Sequence, residues 1–355
     1  MKITPFAYLF VSGVSNSTWS TGQVCYRIPS LLSLDDDGEN LIAFASERIW
    51  EYSNVSQCSD ESLSSIVQRR STDGGKTWGP QELVVPSFNG QKETERHSWS
   101  LYDSSSKTIF IFSNDDVNGP TSCDCNIVYK TSDDGGETYS DNFTYINAET
   151  GVYGMGLTHS ITHTSGRVVG CMRKICRNSC PADYASKSFF SDDNGATWNS
   201  SDWLHAGTTE CQLAELPNGD LYLTSRPYTG WDGQKDVRLA SYSTDVGSTW
   251  SDTIAEPNLI DFAFADEGSI ASDPASGTIV FLHPFSETRS NMTLYQGYFN
   301  TETEKVEWST SATTTVYSGP SEYSDVQVLD SGKSVGALFE RGNYDAISFS
   351  IVPLN

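Results

Sequence analysis

One octapeptide recurs four times along this 355-residue chain, and nothing else in it constrains the fold as strongly. Ser71-Thr-Asp73-Gly-Gly75-Lys-Thr77-Trp78 is the clearest copy. The others begin at Ser132, Ser191 and Ser243 and end at Tyr139, Trp198 and Trp250. The first serines stand 61, 59 and 52 residues apart, a spacing that marks a repeated supersecondary unit. The octapeptide reads as a hairpin turn. Its Asp can bond backbone amides across the loop, its Gly supplies a positive φ, and its aromatic ring packs between units. Strand-like runs flank the copies: Ser65–Gln68, Thr108–Phe112, Ile127–Tyr129 and Thr278–Leu282. No convincing helical pattern occurs. At about 60 residues per repeat, the length permits about six four-stranded units. The expectation is an all-β chain, a six-bladed β-propeller of four-stranded antiparallel blades. With no linker-like segment, residues 1–355 read as one domain.

The repeat alone says nothing of chemistry, since such propellers serve binding proteins as well as enzymes. Charge narrows the field. With 22 basic against 46 acidic residues the net charge is −24, which argues against a nucleic-acid partner and against an anionic membrane surface. No run approaches the length of a membrane span. The apolar stretch Ile3–Val14, interrupted by Pro5, reads as a β-strand, not a signal peptide. Eight cysteines are present. Cys176 and Cys180 resemble half of a zinc site, but no His or second Cys pair at ligand spacing completes it. Disulfides are the better reading, and spacing does not decide the pairing. Sequons at Asn16, Asn54, Asn142, Asn199 and Asn291, with the even cysteine count, point to a secreted or endomembrane setting, lysosomes included.

The octapeptide resembles the Asp-box of the sialidase (neuraminidase) family. Tyr26-Arg27-Ile28-Pro29 is similar to that family's Phe/Tyr-Arg-Ile-Pro signature. Further similar segments follow in the family's order: Leu41–Ala45 with Glu47-Arg48, Asp60-Glu61 ahead of Ile66–Arg70, Glu210–Leu216 with Ser225-Arg226, Tyr323-Ser324-Asp325, and Leu338-Phe-Glu340. The resemblance covers nearly the whole chain and looks closest to the exo-sialidases of animals and bacteria. Two departures stand out. Arg96–Ser100 lacks the Asn-Pro or Asp-Pro often found in relatives, and Ser46 stands where they often carry Glu, with Glu47 beside it.

The resemblance implies an exo-α-sialidase acting on sialylated glycans with no cofactor and no metal at its site, while a structural calcium among so many carboxylates, without a diagnostic loop, stays open. Its substrate carries a carboxylate on the anomeric carbon, which calls for a cationic clamp. Arginine suits that task because its planar fork binds a carboxylate bidentately and stays charged. Arg27, Arg226 and Arg289 are the implied trio, with Arg48 also at the site and Glu340 orienting Arg27. An ionised Asp or Glu nucleophile would meet the substrate's own carboxylate. A neutral phenol avoids that repulsion, and sialidases depart in this way from the two-carboxylate scheme. Tyr323 is the expected nucleophile, Glu210 its base and Asp60 the general acid and base. Glu215 reads as structural. Three alternatives stay open: transfer of the sugar to another glycan, a deaminated or octulosonic relative as the sugar, and a noncatalytic glycan-binding propeller.

Overall fold

The computed structural model describes residues 2–16, 21–49, 58–60, 62–87, 97–116, 125–146, 153–155, 158–174, 184–228, 236–262 and 267–354. Among these residues there are strands and turns and no helix. The run Ile3–Val14 supplies two short strands, β1 (Ala7–Val11) and the start of β2 (Gly13–Asn16). The rest of the chain folds into successive antiparallel meanders. In the first, β3 (Thr21–Ser33), β4 (Leu41–Ile49), β5 (Leu63–Ser71) and β6 (Glu82–Val85) pair in order, with β2 against β3. The second holds β7 (Trp99–Asp103), β8 (Thr108–Asp116), β9 (Cys125–Ser132) and β10 (Thr144–Ile146). After β11 (Tyr153–Met155), which pairs with β13, come β12 (Thr158–Thr162), β13 (Val168–Lys174), β14 (Ser186–Ser191) and β15 (Asn199–Ser200). Next are β16 (Thr208–Glu215), β17 (Leu221–Pro227), β18 (Arg238–Ser243) and β19 (Ile254–Glu256). Then β20 (Ser269–Asp273), β21 (Thr278–Pro284) and β22 (Ser290–Asn300) pair with the first part of the long β23 (Lys305–Leu329). The end of β23 pairs with β24 (Ser334–Arg341), which pairs with β25 (Ala346–Pro353). β1 completes this last sheet, Ala7 opposite Phe349, so the two ends of the chain share one meander.

The cores show how the meanders are arranged. Leu32, Ile42 and Phe44 of the first pack against Ile109 and Ile111 of the second. Phe110 and Phe112 then pack against Met172 and Phe189, and Val169 and Phe190 against Leu213 and Leu223. Tyr222 and Tyr242 meet Ile279 and Phe281, and Val280 and Leu282 meet Val335 and Phe339. Leu338, Ile347 and Phe349 return to Leu31, Leu41 and Ala43. Each sheet therefore buries both faces against its neighbours, and the series closes on itself as a β-propeller. The first strands follow the same circuit, β3 to β7, β12, β16, β20, β23 and back to β3. Their centre is polar but hydrogen-bonded. Asp325 accepts from Leu31 N at 2.7 Å and contacts His159 Nδ1 at 2.7 Å, tying β23 to β3 and β12.

The recurring octapeptides form the turns after β5, β9, β14 and β18. In the first, Asp73 accepts from Thr77 N at 2.8 Å and from Thr77 Oγ1 at 2.6 Å, while Ser71 Oγ accepts from Gly75 N at 2.9 Å. Asp134, Asp193 and Asp245 repeat the pattern with Thr138, Thr197 and Thr249. Gly75 has φ 78°, and a Cβ there would strike Phe349, so both backbone conformation and space require glycine. Each aromatic ring reaches the preceding meander, as expected. Trp78 packs on Phe349, Tyr139 Oη donates to Gln68 at 2.6 Å, Trp198 packs on Phe110 and Phe112, and Trp250 Nε1 donates to Ser188 at 2.9 Å.

Candidate active site

The predicted site residues gather at the end of the propeller opposite these turns. Arg48, Arg226 and Glu340 lie near the ends of β4, β17 and β24, Glu210 near the start of β16, Asp60 and Arg289 just before β5 and β22, and Arg27 and Tyr323 within β3 and β23. Four of them sit where strand pairing is irregular. The register slips between Arg27 and Ser30 in β3, between Thr208 and Cys211 in β16, between Ser321 and Ser324 in β23, and between Ser290 and Met292 beside Arg289. A bulge bends a strand and re-aims its side chains. Here it turns Glu210 and Tyr323 out of the regular alternation and toward one another.

Tyr323 Oη donates to Glu210 Oε1 at 2.6 Å across 113 residues of sequence. Arg226 Nη1 donates to Glu210 Oε2 at 2.7 Å and stands 3.3 Å from Tyr323 Oη. Arg173 Nη1 donates to Glu210 Oε1 at 2.7 Å. Burial alone would raise the Glu210 carboxyl, but Arg226 and Arg173 outweigh it and hold Glu210 well below the ordinary carboxylate range. Tyr323 is buried, packs on Ile28, and carries the Arg27 guanidinium 5.1 Å from its ring centre.

Arg27 is buried, and Glu340 fixes it: Arg27 Nε and Ile28 N donate to Glu340 Oε1 at 2.7 and 2.8 Å. The other Glu340 oxygen accepts from Tyr323 N at 3.2 Å, so one carboxylate sets both the arginine and the phenol's backbone. Ile28 has φ 54°, a costly conformation for a β-branched residue. Ser98 Oγ donates to its carbonyl, so both flanks of the strained residue are held. Arg289 has φ 48° and donates to Glu322 Oε2 at 2.6 Å. The same oxygen lies 3.4 Å from Arg27 Nη2.

Asp60 stands at the rim with its side chain 61% exposed. Arg48 Nη1 donates to Asp60 Oδ1 at 2.7 Å and to the Cys58 carbonyl at 3.0 Å. Arg48 is buried, so it braces Asp60 from beneath. Desolvation would raise the Asp60 carboxyl, but Arg48, with Arg27 at 3.8 Å, holds it well below the usual range. Burial and Arg48 push the neighbouring His97 down to about 3, so its imidazole is neutral. The register also settles the Ser46–Glu47 pair. Ser46 is opposite Arg27, whereas Glu47 accepts from Tyr26 Oη and Gln81, each at 2.8 Å, on the other face. Glu215 accepts from Thr164 N at 2.9 Å, away from the site.

Both disulfides found among the described residues flank this constellation. Cys25–Cys58 links positions two residues before Arg27 and Asp60. Cys171–Cys211 links positions beside Arg173 and Glu210. Cys123, Cys176, Cys180, Asn54, Glu61 and Arg96 lie outside the described residues. Sequence reasoning missed Arg173, Glu322 and Glu267. Arg173 could have been found only from the cystine that brings it to Glu210. Glu322 is next to Tyr323, an adjacency with no meaning until the bulge was known. Glu267 is buried, and its Oε2 has no hydrogen-bond partner. Burial, then the charges of Glu210, Asp325 and Glu340, push its carboxyl well above the ordinary value. A separate groove lined by Ile42, Arg70, Glu82, Asp134 and Glu137 lies at the octapeptide end and includes none of these residues.

Residues 56–335 match the family model of the BNR repeat-like domain. Among curated proteins, Sialidase-2 of Rattus norvegicus is 27% identical over 93% of this chain and 92% of its own. Among solved structures, the Hadza microbial sialidase Hz136 superposes with a TM-score of 0.76 at 23% identity, over 93% of this chain and 66% of that one. The intramolecular trans-sialidase from Ruminococcus gnavus, solved with oseltamivir carboxylate, superposes with a TM-score of 0.72 at 18% identity, over 92% of this chain and 94% of that one. The family model covers most of the chain, and the relatives align along nearly all of it: the chain belongs to the BNR repeat-like family and, within it, to the sialidases.

Proposed function

We propose that this chain is a single catalytic unit, an exo-α-sialidase that releases terminal sialic acid from glycans with retention, through a glycoside of Tyr323. The observation that carries the reading is the 2.6 Å bond from a buried phenol to a buried carboxylate, with Arg226 beside the phenol oxygen and Arg27 over its ring. A phenol is a weak nucleophile near neutrality. Here a carboxylate is placed to take its proton, and two guanidiniums favour the negative charge that develops on Oη. The substrate's carboxylate is received by Arg27, Arg226 and Arg289. In the first step Tyr323 Oη bonds to the anomeric carbon, its proton passes to Glu210, and Asp60 protonates the departing oxygen. In the second, Asp60 takes a proton from water, water bonds to the same carbon, and Tyr323 leaves and recovers its proton.

Both Glu210 and Asp60 bind protons weakly in the free protein because arginines face them. The incoming carboxylate offsets that positive charge and raises the proton affinity of both groups at the moment they must accept or hold a proton. Arg48 positions Asp60. The two disulfides fit an oxidising, secreted or endomembrane location. The test is hydrolysis of aryl α-glycosides of N-acetylated and deaminated sialic acid, with and without lactose. Release of the free α-sugar as first product supports the reading. A sialyl-lactose product would instead make the chain a transferase, and no turnover with retained glycan binding would make it a lectin.

A further inference from the structure

The carboxylate clamp already holds a carboxylate of the chain's own. Glu322 Oε2 accepts from Arg289 Nη1 at 2.6 Å and lies 3.4 Å from Arg27 Nη2, so one oxygen bridges two of the three arginines. These arginines come from different elements, β3 and the turn before β22, and Glu322 comes from a third, the bulge of β23. The Tyr344 ring lies 4.5 Å from the Arg27 guanidinium and packs on the same arginine. The Glu322 side chain is only 16% exposed, so solvent screens the cluster weakly.

We propose that Glu322 is a specificity-determining residue of the clamp: a resident carboxylate that an anionic ligand must displace or share before Arg27 and Arg289 can receive it. This rests on the sialidase reading of the same site. The guanidinium N–H groups that Glu322 occupies are those an incoming carboxylate needs, and two carboxylates on one pair of arginines repel each other. The resident charge sets a threshold. A ligand that only touches the arginines does not enter, whereas one anchored by its other groups supplies the energy to move Glu322 aside. Arg27 does not depend on Glu322 for its aim, because Glu340 holds it through Nε at 2.7 Å.

The competing role, a brace for the clamp, predicts the opposite outcome. The test measures binding of 2-deoxy-2,3-didehydro-sialic acid and of its uncharged methyl ester to wild type, Glu322→Gln and Glu322→Ala. The resident-carboxylate role predicts that both variants bind the acid about tenfold more tightly, while the ester gains little. The ester also reports that each variant is folded. Weaker or unchanged binding of the acid by the variants, with wild type binding it normally, overturns the role of Glu322 alone. A wild type that binds neither ligand and cleaves no aryl sialoside overturns the sialidase reading, and this inference with it.

Discussion

At the scale of single residues, the site depends on carboxyl groups whose surroundings push them in opposite directions. Asp60, exposed at the rim and paired with Arg48, has its carboxyl held well below the ordinary range, whereas Glu267, buried without a partner for Oε2, has its carboxyl pushed well above it. The first bears on the proposed chemistry. If Asp60 protonates the leaving oxygen, Asp60→Ala slows cleavage of natural sialosides by about 100-fold or more, yet leaves aryl sialosides with acidic phenols much less affected. Kinetics on both substrate classes checks this, and equal losses would remove the acid role. Glu267 matters for stability. Its folded value lies above its unfolded value, so between the two the native state binds the extra proton. Stability then falls as pH rises through that window, at up to about 1.4 kcal/mol per pH unit. Denaturation of wild type and Glu267→Gln at pH 4 and pH 7 should show the variant gaining on wild type at the higher pH.

At the scale of elements, the octapeptide turns and the bulged strand ends divide the work. The turns are rigid hydrogen-bonded caps. Thr77 holds the Asp73 carboxyl down to about 2, and Thr138 does the same for Asp134. A folded value below the unfolded one means the ionised group stabilises the fold above the ordinary aspartate range, and that this contribution is lost as pH falls toward about 2. Asp73→Asn should therefore lower the melting temperature by a degree or two at pH 7, with the gap closing toward pH 2. Thermal denaturation across that range checks it. These turns were legible in the sequence because their chemistry is local: eight residues contain donor, acceptor, glycine and ring. The bulges were not. Whether Glu210 and Tyr323 face one another depends on a slip between Thr208 and Cys211 and another between Ser321 and Ser324, and a slip is defined only against a partner strand. For the same reason the adjacency of Ser46 and Glu47 did not reveal which one faces Arg27.

At the scale of the whole molecule, the ring places residues far apart in sequence around one point. Arg27 and Glu340 meet across 313 residues, and Tyr323 and Glu210 across 113. Motif resemblance pointed to both pairs, since each partner sits in its own recognisable segment. It was silent on Arg173, Glu322 and Glu267, whose importance comes from tertiary neighbours. Cys25–Cys58 and Cys171–Cys211 stiffen the circuit beside the site, one against the Asp60 segment and one against Glu210. On the proposed function, this ring assembles a tyrosine nucleophile from two distant strands. Incubation with 2,3-difluorosialic acid tests it most directly, because fluoride leaves readily in the first step while the 3-fluorine slows the second. Mass spectrometry of a digest should find one sugar on the peptide bearing Tyr323, and none in Glu210→Ala under the same brief exposure. A sugar on any other residue would contradict the account.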